Sequence, residues 1–100
     1  MTDDKPIAVW MVEDDSRYRE QLQLLLQARD GLDCPRVFVS CKGLFQTLET
    51  NPDRPDVILM DIELPGMSGL DGIRLLAKQV PDVRVIVLTV FDDQKKIMNA

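Results

Sequence analysis

The sequence contains no histidine and only two cysteines among its 100 residues. Cys34 and Cys41 are not spaced as a CxxC pair. Without histidine they cannot complete a mixed zinc site or a catalytic cysteine–histidine pair. We therefore expect both to be reduced, structural thiols.

Long apolar runs and an excess of positive charge are also missing. No apolar stretch reaches the roughly 20 residues that span a bilayer, and residues 1–6 lack the cationic-then-apolar pattern of a secretion signal. The 12 basic residues are outnumbered by 17 acids, which gives a net charge of −5. Phosphate contacts need clustered lysine and arginine. We expect a cytoplasmic protein that binds neither membrane nor nucleic acid directly.

The remaining composition is that of an ordinary globular chain, with 45% hydrophobic and 29% charged residues. At this length, residues 1–100 should form a single domain. Further catalytic or binding modules would have to come from partners.

Short apolar runs alternate with segments of helical periodicity. The predicted strands are Ile7–Val12, 35–39, Val57–Asp61 and 83–89. Each is followed by a predicted helix, and the fourth helix begins at Asp92. Pro35 favours an edge position for the second strand. This alternation predicts an α/β fold, with helices on both faces of a doubly wound parallel sheet.

Helical spacing of apolar residues predicts which faces are buried. The predicted faces are Tyr18, Leu22, Leu25 and Leu26 in the first helix, and Leu70, Ile73, Ala77 and Val80 in the third. Ser68 is the predicted N-cap of the third helix, and Asp15 or Ser16 that of the first.

Three predicted strands end in chemically reactive groups: residues 13–15 (Glu-Asp-Asp), Asp61 and Thr89. The carboxyl ends of parallel strands meet at one edge of the sheet, where α/β proteins bind ligands. Carboxylates about 5 Å apart repel by roughly 3 kcal/mol, which a proton or a cation must relieve. Carboxylate ligands favour Mg²⁺. The alternative is a solvated acidic loop that stabilises a helix N-terminus.

A carboxylate beside Mg²⁺ can attack a phosphoryl donor and become an aspartyl phosphate. Thr89 could then donate its hydroxyl to a phosphoryl oxygen, although β-branching in a strand is an equally good reason for a threonine there. Pro65, Gly66 and Gly69 suit a tight loop that leaves Asp61 accessible.

Residues 12–16, 57–69 and 87–89 resemble the three signature segments of the receiver domain of bacterial two-component response regulators. The resemblance implies a flavodoxin-like sheet of strand order 2-1-3-4. It makes Asp61 the phosphoacceptor and Thr89 the switch hydroxyl. Mg²⁺ would be held by the carboxylates of Glu13, Asp14 and Asp61 and by the backbone carbonyl of Glu63.

The resemblance also implies partners: a sensor histidine kinase, and an output domain C-terminal to this chain that commonly controls transcription. The first acid is Glu13 where aspartate is commoner. The family's fifth strand, its lysine and its last helix are absent, so we expect the chain to stop within the fourth helix, where Lys95 and Lys96 cannot take that lysine's role. An uncovered fourth strand would favour a homodimer. Glu63 and Phe91 would tune the phosphate lifetime.

Two rival functions remain open at this point. A phosphatase of the haloacid-dehalogenase type also uses a strand-end aspartate and Mg²⁺, but it needs a second aspartate where this chain has Glu63. A pseudo-receiver would bind partners without being phosphorylated. The intact set of acids favours the phosphorylated switch, which modifies itself and is not an enzyme for other substrates.

Overall fold

Strands and helices alternate along the part of the chain that the computed structural model describes, residues 5–88. In order, the elements are β1 (Ile7–Val12), α1 (Ser16–Gln27), β2 (Leu32–Phe38), α2 (Cys41–Thr50), β3 (Val57–Asp61), α3 (Gly69–Gln79) and β4 (Arg84–Leu88). All strand pairs are parallel, and the sheet order is β2-β1-β3-β4. The predicted α/β fold and strand order are confirmed. Thr89 and the predicted fourth helix lie outside the described residues.

The central strands β1 and β3 are built from almost uninterrupted apolar sequence, as burial on both faces requires. The chain leaves β1 toward β2 on one side, and after β3 it proceeds to β4 on the other. Right-handed crossovers in opposite directions place α1 on one face, and α2 and α3 on the other. The switch point between β1 and β3 is where such sheets bind ligands.

The main core lies between the sheet and helices α2 and α3. It consists of Trp10, Val12, Cys41, Leu44, Leu48, Ile58, Met60 and Leu76. The ring of Trp10 packs edge-on against Phe38 at 5.7 Å, and the guanidinium of Arg36 lies 5.4 Å from the Trp10 ring. By strand alternation, the buried Val9 and Met11 face the side of α1. This packing makes β1 and β3 a rigid support for the residues that follow them.

β2 is an edge strand as predicted, but it begins at Leu32 and not at residue 35. Its register against β1 shifts between Ala8 and Trp10, so the strand accommodates Pro35, which has no N–H, in an irregularity. The carbonyl of Cys34 accepts hydrogen bonds there from the side chains of Gln23 and Gln27, at 3.1 and 3.2 Å. Both cysteines are free thiols and buried, as expected.

The buried helix faces differ from those that apolar spacing predicts. Leu25 of α1 is 65% exposed, so only part of the predicted stripe turns inward. In α3, Leu70 is exposed, whereas Gly69, Gly72 and Leu76 are buried. A Cβ on residue 72 would lie 2.7 Å from the sulfur of Cys41. Small residues therefore let α3 approach α2 and β3 closely, and a hydrophobicity pattern does not reveal this.

None of the helices within residues 5–88 combines the length and apolar character of a membrane span.

Candidate functional site

Two neighbouring strands deliver three carboxylates to one point at the carboxyl edge of the sheet. Glu13 and Asp14 directly follow β1, and Asp61 ends β3. Val12 and Met60 are register partners, so the residues after them emerge side by side. One oxygen from each of the three carboxylates lies within 4.8 Å of the others. The structure thus brings together Glu13, Asp14 and Asp61, as the sequence predicts.

Burial differs among the three acids. Glu13 is 0% exposed and Asp61 2% exposed, whereas Asp14 reaches solvent. The backbone N–H of Glu13 donates to the carbonyl of Phe38 at 2.9 Å, which ties the end of β1 to the end of β2. Asp61, expected to be accessible, is therefore buried, and Asp14 is the only one of the three acids that is exposed.

Backbone N–H groups orient the two buried carboxylates. Glu13 Oε2 accepts from the N–H of Asp15 at 2.9 Å, and Asp61 Oδ1 accepts from the N–H of Glu63 at 3.0 Å. Hydrogen bonds from N–H groups stabilise an ionised carboxylate and limit its rotation. Each buried acid is therefore held in a defined orientation by the residue two positions later.

Asp15 is the N-cap of α1, as expected, and its side chain serves the helix. Its Oδ1 accepts from the N–H groups of Arg17 and Tyr18, at 3.0 and 3.2 Å. Ser68 caps α3 in the same way, accepting from the N–H of Asp71. Because this carboxylate is engaged with two helix N–H groups, Asp15 is not a candidate metal ligand.

The loop between β3 and α3 fits tightly against the backbone of Asp61. Gly66 has a φ of +74°, a conformation that glycine adopts without strain. At Gly69 a Cβ would lie 2.7 Å from Ile62 Cα and 2.9 Å from the carbonyl carbon of Asp61. These glycines belong to the predicted tight loop, and Gly69 is the one with no room for a side chain.

The three acids perturb one another. The pKa of Glu13 is raised to about 7, first because burial disfavours its charge and further because Asp61 and Asp14 lie close by. The N–H of Asp15 opposes this increase. Glu13 thus retains a proton at pH values where an ordinary glutamate has lost it.

This raised pKa predicts a pH-dependent stability. Folded Glu13 keeps its proton up to about pH 7, whereas an unperturbed glutamate loses it near 4.5. The folded state therefore binds more protons in this window, and the stabilisation present below pH 4.5 is lost as the pH rises through 7. Without divalent cations, the free energy of unfolding should therefore fall as the pH rises from about 4.5 to about 7. Urea denaturation at a series of pH values measures this.

Glu13→Gln should flatten that pH dependence, because glutamine does not titrate. The matched control is Glu20→Gln, which changes an exposed glutamate on α1 and should retain the wild-type dependence. If the free energy of unfolding depends on pH equally in Glu13→Gln and in the wild type, another titrating group is responsible for the dependence.

The donor set suits a hard divalent cation. Three carboxylate oxygens without histidine or thiolate fit Mg²⁺, which keeps part of its water shell. Glu63, predicted to add its carbonyl, follows Asp61 at the same edge and is exposed. Thr89 lies outside the described residues.

Sequence reasoning missed Arg19. This α1 side chain donates from Nη1 to the carbonyl oxygens of Glu13 and Asp14, at 3.0 and 3.4 Å. The sequence signal is faint: a basic residue in the first turn of the helix that follows the acids. Arg19 thus joins the loop that carries the site to α1.

Comparison with known proteins identifies the family. Residues 9–100 match the model of the response regulator receiver domain. The chain is 36% identical over 92 residues to the DNA-binding transcriptional regulator NtrC of Proteus hauseri, covering 92% of this chain and 19% of that protein. It is 34% identical over 95 residues to the transcriptional regulatory protein LnrK of Bacillus subtilis, covering 94% and 42%. The chain thus spans less than half the length of either relative.

A solved structure agrees with these relatives. The beryllofluoride-activated receiver domain of nitrogen regulatory protein C superposes with a TM-score of 0.68 at 32% identity, over 96% of this chain and 74% of that one. The order of the strands and the acids at their ends agree with these similarities. The chain belongs to the response regulator receiver domain family.

Proposed function

We propose that this domain is a phosphorylation-dependent signalling switch, in which Asp61 accepts a phosphoryl group from a sensor histidine kinase in a Mg²⁺-dependent reaction. The observation that carries the proposal is the convergence of the Glu13, Asp14 and Asp61 carboxylates within 4.8 Å at the carboxyl edge of the sheet. Such a cluster is electrostatically costly unless a cation or a proton occupies it.

The carboxylates of Glu13, Asp14 and Asp61, with the carbonyl of Glu63, would hold Mg²⁺. When bound, the metal neutralises charge on the transferring phosphoryl group. Asp61 acts as the nucleophile. Its carboxylate oxygen forms the new bond to phosphorus while the bond between phosphorus and the histidine nitrogen of the kinase breaks. The hydrogen bond from the Glu63 N–H fixes the plane of the Asp61 carboxylate, so the nucleophile is oriented before the donor arrives.

Phosphorylation becomes a signal only if the phosphorylated domain favours a second conformation. We assign the switch hydroxyl to Thr89, which follows β4, the neighbour of β3. A threonine hydroxyl at that strand end can donate to a phosphoryl oxygen. Movement of Thr89 toward the phosphate would then transmit the modification to the surface of the domain.

The output of the switch is proposed to be transcriptional. NtrC of Proteus hauseri is described as a DNA-binding transcriptional regulator and LnrK as a transcriptional regulatory protein, and both are longer than this chain. We propose that residues 1–100 act as one receiver domain controlling a C-terminal DNA-binding domain, in the cytoplasm, where the two free thiols would stay reduced. A homodimer is part of the proposal, and sedimentation across a concentration series tests it.

Amide NMR with Mg²⁺ and then beryllofluoride tests the proposed function. Mg²⁺ at millimolar concentration should shift resonances of residues 13–15 and 61–63, because binding that retains several waters is weak. Beryllofluoride should cause further shifts only when Mg²⁺ is present. No response at these residues would contradict the proposal, and turnover of p-nitrophenyl phosphate would indicate a phosphatase instead.

Thr89→Ala separates phosphate acceptance from switching. The variant should still bind beryllofluoride at Asp61, while shifts remote from the site become smaller. Unchanged remote shifts would remove Thr89 from the switch.

A further inference from the structure

Arg19 holds the acid-bearing loop from the side of α1. Its Nη1 donates to the carbonyl oxygens of Glu13 at 3.0 Å and Asp14 at 3.4 Å. Its own backbone N–H donates to the carbonyl of Asp15 at 2.9 Å as part of the first turn of α1. One residue therefore interacts with all three consecutive carbonyls between β1 and α1.

These bonds determine the direction of the peptide planes that carry the acids. A carbonyl that points toward the guanidinium turns the N–H of the next residue to the opposite side of its peptide plane. The N–H of Asp15 is the group that donates to Glu13 Oε2 at 2.9 Å. The contact between Arg19 and the Asp14 carbonyl thus fixes the donor that orients the buried Glu13 carboxylate.

The arrangement also opposes repulsion within the loop. Adjacent acids at residues 13 and 14 converge with Asp61 although like charges favour their separation. Hydrogen bonds from a guanidinium are charge-assisted and stronger than neutral ones. We propose that Arg19 is a positioning residue that keeps the carboxylates of Glu13 and Asp14 converged on Asp61, so that the site binds its divalent cation. This inference rests on the proposed function for the identity of the cation.

Charge and position predict opposite effects of removing Arg19. Loss of a positive charge beside the loop that carries Glu13 and Asp14 raises the local negative potential, which by itself tightens cation binding. Loss of the two carbonyl contacts lets the acids move apart, which weakens binding. Arg17 is the matched control, because it is an exposed arginine on the same helix turn whose backbone N–H contacts Asp15.

The experiment compares Arg19→Met, Arg19→Lys and Arg17→Met with the wild type by Mg²⁺ titration, followed by amide NMR. Arg19→Met should weaken Mg²⁺ affinity by about tenfold, as for other residues that orient metal ligands. Arg17→Met should leave the affinity unchanged or slightly raise it. Arg19→Lys should recover part of the loss, because an ammonium can still donate to a carbonyl. It also serves as the test if Arg19→Met does not fold.

Hydrogen exchange at the Asp15 amide supplies a readout that needs no metal. In Arg19→Met this amide should exchange faster than in Arg17→Met, because its bond to Glu13 Oε2 is no longer held in place. Unchanged exchange, or Mg²⁺ binding as tight as in the wild type, would overturn the role of Arg19. If the wild type binds no Mg²⁺ but the Asp15 amide still exchanges faster in Arg19→Met, the result would support the positioning of Glu13 by Arg19. It would then overturn the metal-dependent function instead.

Discussion

Asp61→Asn is expected to abolish phosphorylation of this domain while leaving the fold intact. Asparagine keeps the shape of the side chain, and its amide oxygen can still accept from the Glu63 N–H. It has no carboxylate oxygen to attack phosphorus. Removing one of three converging charges also relieves repulsion, so at alkaline pH the variant should be at least as stable as the wild type. Incubation with a small phosphodonor and Mg²⁺, followed by intact-mass measurement, gives the yield.

Asp15→Asn is the matched control, since it makes the same chemical change two residues from Glu13. Asparagine is as good an N-cap as aspartate, so α1 should be retained. This variant should be phosphorylated like the wild type. Hydroxylamine-labile phosphate on Asp61→Asn would assign the acceptor to another residue. If neither Asp61→Asn nor Asp15→Asn carries phosphate, the loss would point to general damage at this edge of the sheet.

Gly69→Ala is expected to destabilise the protein by about 3 kcal/mol, near the upper end of the usual cost of overpacking. Within a helix, alanine is ordinarily favoured over glycine because it has the higher helix propensity, and Gly69 is the first residue of α3. Here the new methyl group would meet the backbone of Asp61 and Ile62, which cannot move as a flexible side chain does. The loop must shift, and Asp61 shifts with it. Urea denaturation gives the stability, and Mg²⁺ titration reports the site.

Gly43→Ala tests the same substitution where there is room. Gly43 lies within α2, and its new Cβ would be 3.5 Å from Phe38, an ordinary van der Waals contact. This control should gain up to about 1 kcal/mol. A loss in Gly69→Ala that Gly43→Ala does not share would locate the effect in the contact with β3. Equal stability of the two variants would show that the loop after Asp61 is looser than the structure indicates.

The sequence alone was sufficient for the features that depend on local pattern. Apolar runs bounded by polar residues defined β1 and β3 to the residue, because strands buried on both faces admit few polar side chains. Acids at the ends of those strands predicted the cluster of Glu13, Asp14 and Asp61, since parallel strands end at one edge. Ser68 was recognisable as a helix cap from its position before an apolar helical segment.

Only the tertiary structure decided features that depend on distance between elements. Apolar spacing predicted that Leu70 lies on the buried face of α3, but that face is formed by Gly69, Gly72 and Leu76. Close approach of two backbones needs small residues as well as apolar ones. The role of Arg19 depends on how α1 lies against the acid loop. The raised pKa of Glu13 follows from burial beside other carboxylates. Contacts, dielectric environment and steric fit arise from the packing of distant segments, whereas a linear pattern records only what each segment can do by itself.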